Sequence, residues 1–204
     1  MRLPISVLCT VSKQRRDFFY GYCLPSVYAN GPREVLIDDK PGGAQEKRNR
    51  LFRKAKQPYV FFCDDDLVLS SVCLARLLAA LKAKEPHAAY AYCHNHAFTM
   101  PGVGGYWSGS IFCAQRAWSD EDVLYRSMVH PMSMFRRNVF PGWDESLAHA
   151  HMWDVEVALL RAGYRGVLVN ESLFLQFYLD DGISNNREID PMVSIMQVRK
   201  KHGL

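Results

Sequence analysis

The feature that most restricts the fold is an alternation of strand-like and helix-like segments, repeated three times before residue 85. Apolar and β-branched residues predict strands at 4–11, 33–39 and 58–66, and apolar residues at helical spacing follow each of them. After the third strand this spacing is carried by Leu74, Leu77, Leu78 and Leu81. The third strand contains the uninterrupted apolar run "YVFFC", which is typical of a parallel sheet covered on both faces. The pattern therefore predicts an α/β fold, with a mainly parallel, Rossmann-like central sheet flanked by helices.

Length and composition are those of one ordinary globular domain. The 204 residues are 49% hydrophobic and 23% charged, and they contain no repeat, low-complexity tract or linker. We therefore expect a single domain over residues 1–204. The net charge of +4 at pH 7 permits an anionic ligand but is too small to favour nucleic acid as a partner.

Three features of the sequence predict a soluble, cytoplasmic protein. No apolar run approaches the roughly 20 residues of a membrane-spanning helix, so no membrane span is expected. The N-terminal segment lacks the long apolar core of a signal peptide. The six cysteines are scattered, and most lie within apolar runs, as buried free thiols do in a reducing compartment.

Polar side chains lie at the carboxyl ends of the three predicted strands. Thr10 lies at the end of the first strand, and Asp38 and Asp39 lie at the end of the second. Three consecutive aspartates, Asp64–Asp66, end the third. In sheets of this type ligands bind at the carboxyl ends of the strands. Because crowded carboxylates repel each other and hard cations such as Mg²⁺ and Mn²⁺ prefer carboxylate oxygens, we expect a ligand site with a divalent cation here.

Four motifs stand in a distinctive order along the chain. Paired aspartates end a strand in "VLIDDKPGG", and "KRN" follows, with Arg48 sixteen residues before Asp64. Asp64–Asp66 then form a D-x-D motif after an apolar strand. Further on, the turn "PGWDES" precedes the helix-like segment "WDVEVALLRAGYRGVLVNES". Over roughly residues 4–178 this order resembles the inverting glycosyltransferases of family two, which have the GT-A fold, in a compact form.

The resemblance implies an enzyme that moves a sugar from a nucleotide-sugar donor to an acceptor hydroxyl, with inversion at the anomeric carbon. UDP is the usual nucleotide in that family, and Mn²⁺ or Mg²⁺ is the usual cofactor. The resemblance also implies a nucleotide-sugar-binding half over residues 1–100 and a catalytic, acceptor-binding half over residues 101–178. The tail, residues 179–204, is expected to act as a lid over the bound diphosphate.

The resemblance further implies three groups of site residues. The metal would be held by Asp64, Asp66 and Gln176, the last of which stands where the family often has a histidine. Asp154, at the start of a predicted helix, is implied as the general base for the acceptor hydroxyl. Contacts with the nucleotide are implied for Thr10, Asp38, Asp39, Arg48, Asp64 and Asp65. Strand alternation predicts in addition that Asp65 points away from the metal.

Three other interpretations remain open at this point. A phosphohydrolase of the haloacid dehalogenase type also places D-x-D after an apolar strand, but its motif normally continues to a threonine, whereas Leu67 and Val68 follow here. A nucleotidyltransferase would need a glycine-rich loop after the first strand, and "TVSKQRR" contains no glycine. A non-catalytic nucleotide- or sugar-binding module also fits, because Leu51, Trp153 and Gln176 depart from the family pattern.

Two H-x-H pairs give a weaker signal. They are His94 with His96 and His149 with His151. Without nearby cysteines or further histidines, such a pair is weak evidence for a zinc site. We therefore expect structural or supporting roles for both pairs.

Overall fold

A computed structural model describes residues 2–99, 109–127, 129–178 and 190–204. The strands are β1 (Leu3–Thr10), β2 (Pro32–Asp38), β3 (Tyr59–Asp64), β4 (Leu67–Leu69), β5 (Ala88–Thr99), β6 (Gly109–Cys113), β7 (Met134–Arg136) and β8 (Arg165–Tyr178). The α-helices are α1 (Arg16–Phe18), α2 (Leu24–Ala29), α3 (Ala44–Lys54), α4 (Cys73–Ala83), α5 (Asp120–Val123), α6 (His151–Arg161) and α7 (Pro191–His202). A 3₁₀ turn (Lys13–Arg15) precedes α1, and a π-helical turn (Phe19–Cys23) joins α1 to α2.

The strands of the described residues form one sheet in the order β2-β1-β3-β7-β5-β8-β4, with β6 paired to β5. Strand β1 pairs in parallel with β2 and β3, and β5 pairs in parallel with β8. Strands β7, β4 and β6 pair antiparallel with their neighbours. The predicted α/β class is therefore confirmed. The sheet is parallel in its first half and mixed in its second, where the short strands β7 and β4 run antiparallel to longer neighbours.

Successive side chains of the central strands point to opposite faces of the sheet, as strand geometry requires. Phe61 lies in a buried cluster with the leucines of α4, whereas Phe62 lies in a second cluster with Leu51 of α3 and Val157 of α6. Burying a large apolar side chain of this kind contributes about 1.5–3 kcal/mol. Apolar layers thus cover both faces, which confirms the expectation drawn from the continuous apolar run in β3.

The third predicted strand does not lead directly into a helix. Asp65 and Asp66 form a tight turn after β3, and the chain continues into β4. Strand β4 pairs antiparallel with β8, so that Leu67 stands opposite Gln176. This pairing brings the aspartate motif close to the end of β8, more than 100 residues further along the chain.

The C-terminal helix α7 packs against α6. It begins at Asp190, whose side chain accepts the Met192 N–H over 2.9 Å as an N-cap, and it ends at Gly203 in the left-handed conformation. Residues 179–189 of the predicted lid lie outside the described residues, as do residues 100–108 at the junction of the two predicted halves. Neither α7 nor any other described helix combines the length and the apolar character that crossing a bilayer requires.

Candidate active site

A cavity of about 520 Å³ lies at the carboxyl ends of β1 and β3. Its wall is formed by the end of β1, the first turns of α3, the β3–β4 turn, the loop ahead of α6 and the end of β8. Of the residues predicted for the site, this wall includes Thr10, Arg48, Asp64, Asp65, Asp66 and Gln176. The position agrees with the general location of ligands in sheets of this class.

Arg48 and Asp64 form an ion pair in the wall, with the guanidinium buried and the Asp64 side chain 29% exposed. Arg48 Nη2 lies 2.9 and 2.7 Å from the two carboxylate oxygens, and Thr10 Oγ1 donates to one of them over 2.9 Å. The guanidinium also faces the ring of Trp143, and its Nη1 lies 3.2 Å from His151 Nε2. Burial alone would raise the pKa of Asp64, but the charge of Arg48 and the hydrogen bonds from Arg48 and Thr10 lower it. The sixteen-residue spacing seen in the sequence is therefore the spacing of an ion pair.

Asp65 also faces the cavity. Its Oδ2 accepts the backbone N–H of Ser12 over 2.6 Å, and Arg15 Nη1 lies 3.2 Å from its Oδ1 and 3.3 Å from Asp66 Oδ2. Burial raises the pKa of Asp65. Strand alternation predicted that Asp65 points away from the metal, but β3 ends at Asp64 and Asp65 lies in the following turn, where strand alternation no longer applies. The orientation of Asp65 relative to a metal therefore stays a prediction.

Asp66 and Gln176 lie side by side at the cavity. The Phe177 N–H donates to the carbonyl oxygen of Asp66 over 2.9 Å, which fixes the two segments against each other. Asp66 Oδ1 and Gln176 Oε1 are both buried and make no hydrogen bond of ordinary geometry within the described residues. The Gln176 side chain does interact with the ring of His130, an interaction that opposes the lowering of the His130 pKa. Burial, followed by the charge of Asp64, raises the pKa of Asp66 to about 7. A buried carboxylate oxygen without a donor, beside an amide oxygen, fits a hard cation.

Asp38 and Asp39, predicted to contact the nucleotide, do not lie on the cavity wall. Arg50 lies 2.8 and 3.2 Å from the two oxygens of Asp38, and the Lys40 N–H donates to that carboxylate as well. Asp39 pairs with Arg16 at 2.6 Å. Their position at the end of β2 is as predicted, but β2 is the edge strand and local arginines neutralise both carboxylates. The described geometry gives them structural partners, and their contact with a nucleotide stays a prediction.

Asp154 lies on α6 but not on the cavity wall. Lys201 Nζ lies 2.9 Å from its Oδ2 and His202 Nε2 lies 2.8 Å from its Oδ1, so α7 engages both carboxylate oxygens. Lys201 also binds Asp144, and Arg161 donates to the carbonyl oxygen of His202. Asp154 is only 4% exposed. Asp154, the residue predicted as the general base, therefore anchors the C-terminal helix in this structure. It does not line the cavity.

Three histidines without a predicted role in the site lie on the wall: His130, His149 and His151. His151 opens α6, directly after Ala150, whose φ of 54° is unusual for a residue other than glycine. Burial lowers the pKa of His130 to about 4 and that of His151 to about 3. The sequence signal for two of these histidines is the H-x-H pair His149 and His151, just ahead of "WDVE". The pair reaches the site only because the loop folds toward Arg48, and the sequence does not show that folding.

The fold is similar to those of solved glycosyltransferase structures. S. aureus TarS in complex with UDP-GlcNAc matches with a TM-score of 0.67 and 13% identity, over 99% of this chain and 65% of that chain. The mannosyltransferase PcManGT from Pyrobaculum calidifontis, in complex with GDP-Man and Mn²⁺, matches with a TM-score of 0.57 and 14% identity, over 87% of this chain and 57% of that chain. The chain thus spans less than two thirds of the length of these structures, and at such identities the likeness shows the fold alone.

A comparison with curated protein sequences gives no match. The sequence model of one family, Glycosyl transferase family 2, matches residues 26–143. The matched segment contains Arg48, its partner Asp64 and the rest of the aspartate motif. Because the match covers more than half of the 204 residues, the protein belongs to glycosyl transferase family 2.

Proposed function

We propose that the protein transfers a sugar from a UDP-sugar to an acceptor hydroxyl, with inversion and with the help of Mn²⁺ or Mg²⁺. The observation that carries the proposal is the buried, unpartnered Asp66 Oδ1, with Gln176 Oε1 beside it, at a cavity on the carboxyl edge of the sheet. Membership of the family supports sugar transfer over the phosphohydrolase interpretation. The complexes of TarS with UDP-GlcNAc and of PcManGT with GDP-Man and Mn²⁺ support a nucleotide-sugar donor and a metal.

Asp66 and Gln176 are the residues that would hold the cation. Both present oxygen atoms, which Mg²⁺ and Mn²⁺ prefer as ligands. Asp64 was predicted as a further ligand, but Arg48 already binds both of its oxygens, so we assign Asp64 a supporting role. Because these residues offer only two side-chain oxygens, the phosphate oxygens of a donor would supply further ligands. A cation bound there supplies positive charge that stabilises the departing diphosphate.

The charges on the wall suit a diphosphate once a divalent cation is bound. Arg15, Lys47 and Arg48 are balanced by the three carboxylates of Asp64–Asp66. Three positive and three negative charges cancel, and a divalent cation would leave a net charge of about +2. The first turn of α3 also borders the cavity, and the positive end of a helix dipole favours an anion.

Inversion corresponds to a single displacement at the anomeric carbon. The acceptor oxygen attacks on the face opposite the diphosphate, and the bond from that carbon to the diphosphate breaks. The chain must therefore stabilise charge on one side of the sugar and accept a proton on the other. Thr10 and Asp65, which lie on the wall at the ends of β1 and β3, are our proposed contacts for the nucleoside.

A panel of nucleotide sugars tests the proposal. With Mn²⁺ present, a UDP-sugar should raise the melting temperature of the protein, and the protein should then release UDP from that donor by transfer to an acceptor or to water. EDTA should abolish the release, and added Mn²⁺ or Mg²⁺ should restore it. A protein that binds a nucleotide sugar and never turns it over would support the non-catalytic interpretation instead.

A further inference from the structure

A glycosyl transfer with inversion needs a group that takes the proton of the acceptor hydroxyl, and the described cavity wall offers few. Arg15, Lys47 and Arg48 are cations and have no lone pair with which to accept a proton. Tyr178 is excluded because burial raises the pKa of its phenol, which therefore stays protonated near neutral pH. The titratable groups that remain on the wall are three aspartates and three histidines.

Each aspartate on the wall already has hydrogen-bond partners or a proposed role at the cation site. Asp64 accepts hydrogen bonds from two side chains, and Asp65 accepts from a backbone N–H and an arginine. Asp66 lies at the proposed cation site, where its charge would face the metal. Asp154, the base implied by the family resemblance, lies off the wall with both oxygens bound by α7. A proton acceptor at neutral pH must therefore be sought among the histidines.

Two of the histidines are held as neutral, weakly basic rings. Arg48 can only donate, so His151 Nε2 accepts from it and the ring proton lies on Nδ1. Met132 N–H donates to His130 Nδ1 over 3.3 Å, so the proton of that ring lies on Nε2. Burial lowers the pKa of His151 to about 3 and that of His130 to about 4, which makes both poor bases.

His149 differs in which ring nitrogen is free. His151 also has a buried nitrogen without a partner, but it is Nδ1, which carries the proton. His149 lines the cavity, and the nitrogen that is buried without a hydrogen-bond partner within the described residues is Nε2. Its backbone N–H donates to Ser194 Oγ of α7 over 3.2 Å, and the next residue, Ala150, is held in the left-handed conformation. Such a conformation costs free energy at a residue other than glycine, and it fixes the course of the loop between the two histidines. A buried imidazole nitrogen without a hydrogen-bond partner costs free energy unless a ligand supplies the missing hydrogen bond.

We propose that His149 Nε2 is the general base of the transfer, a role that rests on the proposed function. As the acceptor oxygen bonds to the anomeric carbon, its proton passes to Nε2. The electron pair of the breaking carbon–oxygen bond leaves with the diphosphate. The imidazolium then returns its proton to solvent. The loop ahead of α6 therefore forms the acceptor side of the cavity, and Asp66 with α3 forms the diphosphate side.

Substitution of His149 tests the role in proton transfer. His149→Gln keeps a polar group near the position of Nε2 but cannot act as a base, so kcat should fall by about 10²–10⁴-fold. The dissociation constant for UDP with Mn²⁺ should change by less than about twofold, because the base acts on the acceptor side. In His149→Ala, free imidazole should restore part of the rate. A purely structural histidine would not show this rescue.

A series of added bases provides a second measurement. In His149→Ala, the rate restored by substituted imidazoles should rise with the basicity of the added imidazole, because the added base takes the proton of the acceptor hydroxyl. If His149→Gln fails to fold, this series decides, and a rate in His149→Ala that responds to none of the added bases overturns the assignment.

Failure of this assignment differs from failure of the proposed function. If the wild-type protein and His149→Gln turn over a nucleotide sugar at rates within about threefold of each other, only the role of His149 is overturned. The same holds if Asp154→Asn folds and loses the rate while His149→Gln keeps it. If the wild-type protein turns over no nucleotide sugar, the proposed function is overturned, and the base assignment with it.

Discussion

Arg48 Nη2 lies 2.7 and 2.9 Å from the two carboxylate oxygens of Asp64, and Arg48 is only 3% exposed. The pair connects α3 to the end of β3, at the point where the D-x-D motif begins. A buried ion pair is stable only while both partners are present, because either charge alone is costly to bury.

Arg48→Met should therefore lower the free energy of unfolding by about 1–3 kcal/mol, because it leaves the half-buried carboxylate of Asp64 without its charged donor. Urea denaturation measures the change. The double variant Arg48→Met with Asp64→Asn removes both charges and should lose less stability than Arg48→Met alone. A loss in the double variant equal to the sum of the two single losses would contradict the coupling.

Asp154→Ala should loosen the end of α7, since Lys201 and His202 lose the carboxylate that they share. We expect a loss of about 1–3 kcal/mol and faster amide hydrogen exchange over residues 191–202. Asp144→Asn is the matched control, because it removes one partner of Lys201 and leaves His202 in place. Unchanged hydrogen exchange of α7 in Asp154→Ala would show that this contact does not hold the helix.

The buried, neutral His151 should make the protein sensitive to acid. A histidine in the unfolded chain takes up a proton near pH 6.5, whereas in the folded protein the pKa of His151 lies at about 3. Between these values the unfolded state binds more protons, so the stability is complete above about pH 6.5 and is lost as the pH falls, by up to about 1.4 kcal/mol per pH unit. Urea denaturation between about pH 7.5 and about pH 5 measures this slope.

His151→Asn is the control for the acid sensitivity. Asparagine keeps a donor close to the position of Nδ1 and does not titrate in this range. The slope of stability against pH should therefore become smaller in this variant, with the remaining slope due in part to His130, whose pKa is also lowered. The same slope in His151→Asn and in the wild-type protein would refute a lowered pKa at His151.

Mn²⁺ binding should depend on the nucleotide. Because Asp66 and Gln176 provide only two oxygens, calorimetry should show weak binding of Mn²⁺ to the protein alone and clear binding with UDP present. Asp66→Asn should lose the UDP-dependent binding. Asp65→Asn should lose less of it than Asp66→Asn, since Asp65 is a proposed contact for the nucleoside and its carboxylate is bonded to the Ser12 N–H and Arg15. Tight binding of Mn²⁺ without UDP would mean that other residues hold the metal.

The first half of the fold could be predicted because local signals determine it. Strands β1, β2 and β3 are long enough for their apolar pattern to be recognised, and the helices after them carry clear apolar faces. Strands β4 and β7 have only three residues each, too few to show a period. Their antiparallel pairing depends on partners elsewhere in the chain, so the mixed second half of the sheet could not be predicted from local patterns.

The edge of the sheet at which the cavity lies could be predicted, because the aspartate motif follows a strand whose carboxyl end faces the cavity. Whether each of the other carboxylates is free or held in an ion pair could not be predicted. Arg50 neutralises Asp38 from 12 residues away, and Lys201 and His202 reach Asp154 from 47 and 48 residues away. Such ion pairs leave no local pattern in the sequence. A carboxylate that is free for catalysis and one that is bound to a distant helix therefore look the same before the fold is known.

The central claim is that the cavity transfers a sugar from a UDP-sugar with a cation held at Asp66. The most direct test is the rate of UDP release from a UDP-sugar by the wild-type protein and by Asp66→Asn, at saturating Mn²⁺ and with both proteins shown to be folded. We predict that the wild-type protein releases UDP and forms a product of inverted anomeric configuration by NMR, and that Asp66→Asn is slower by at least about 10²-fold. Equal rates in the two proteins, or release that persists in EDTA, would contradict the account.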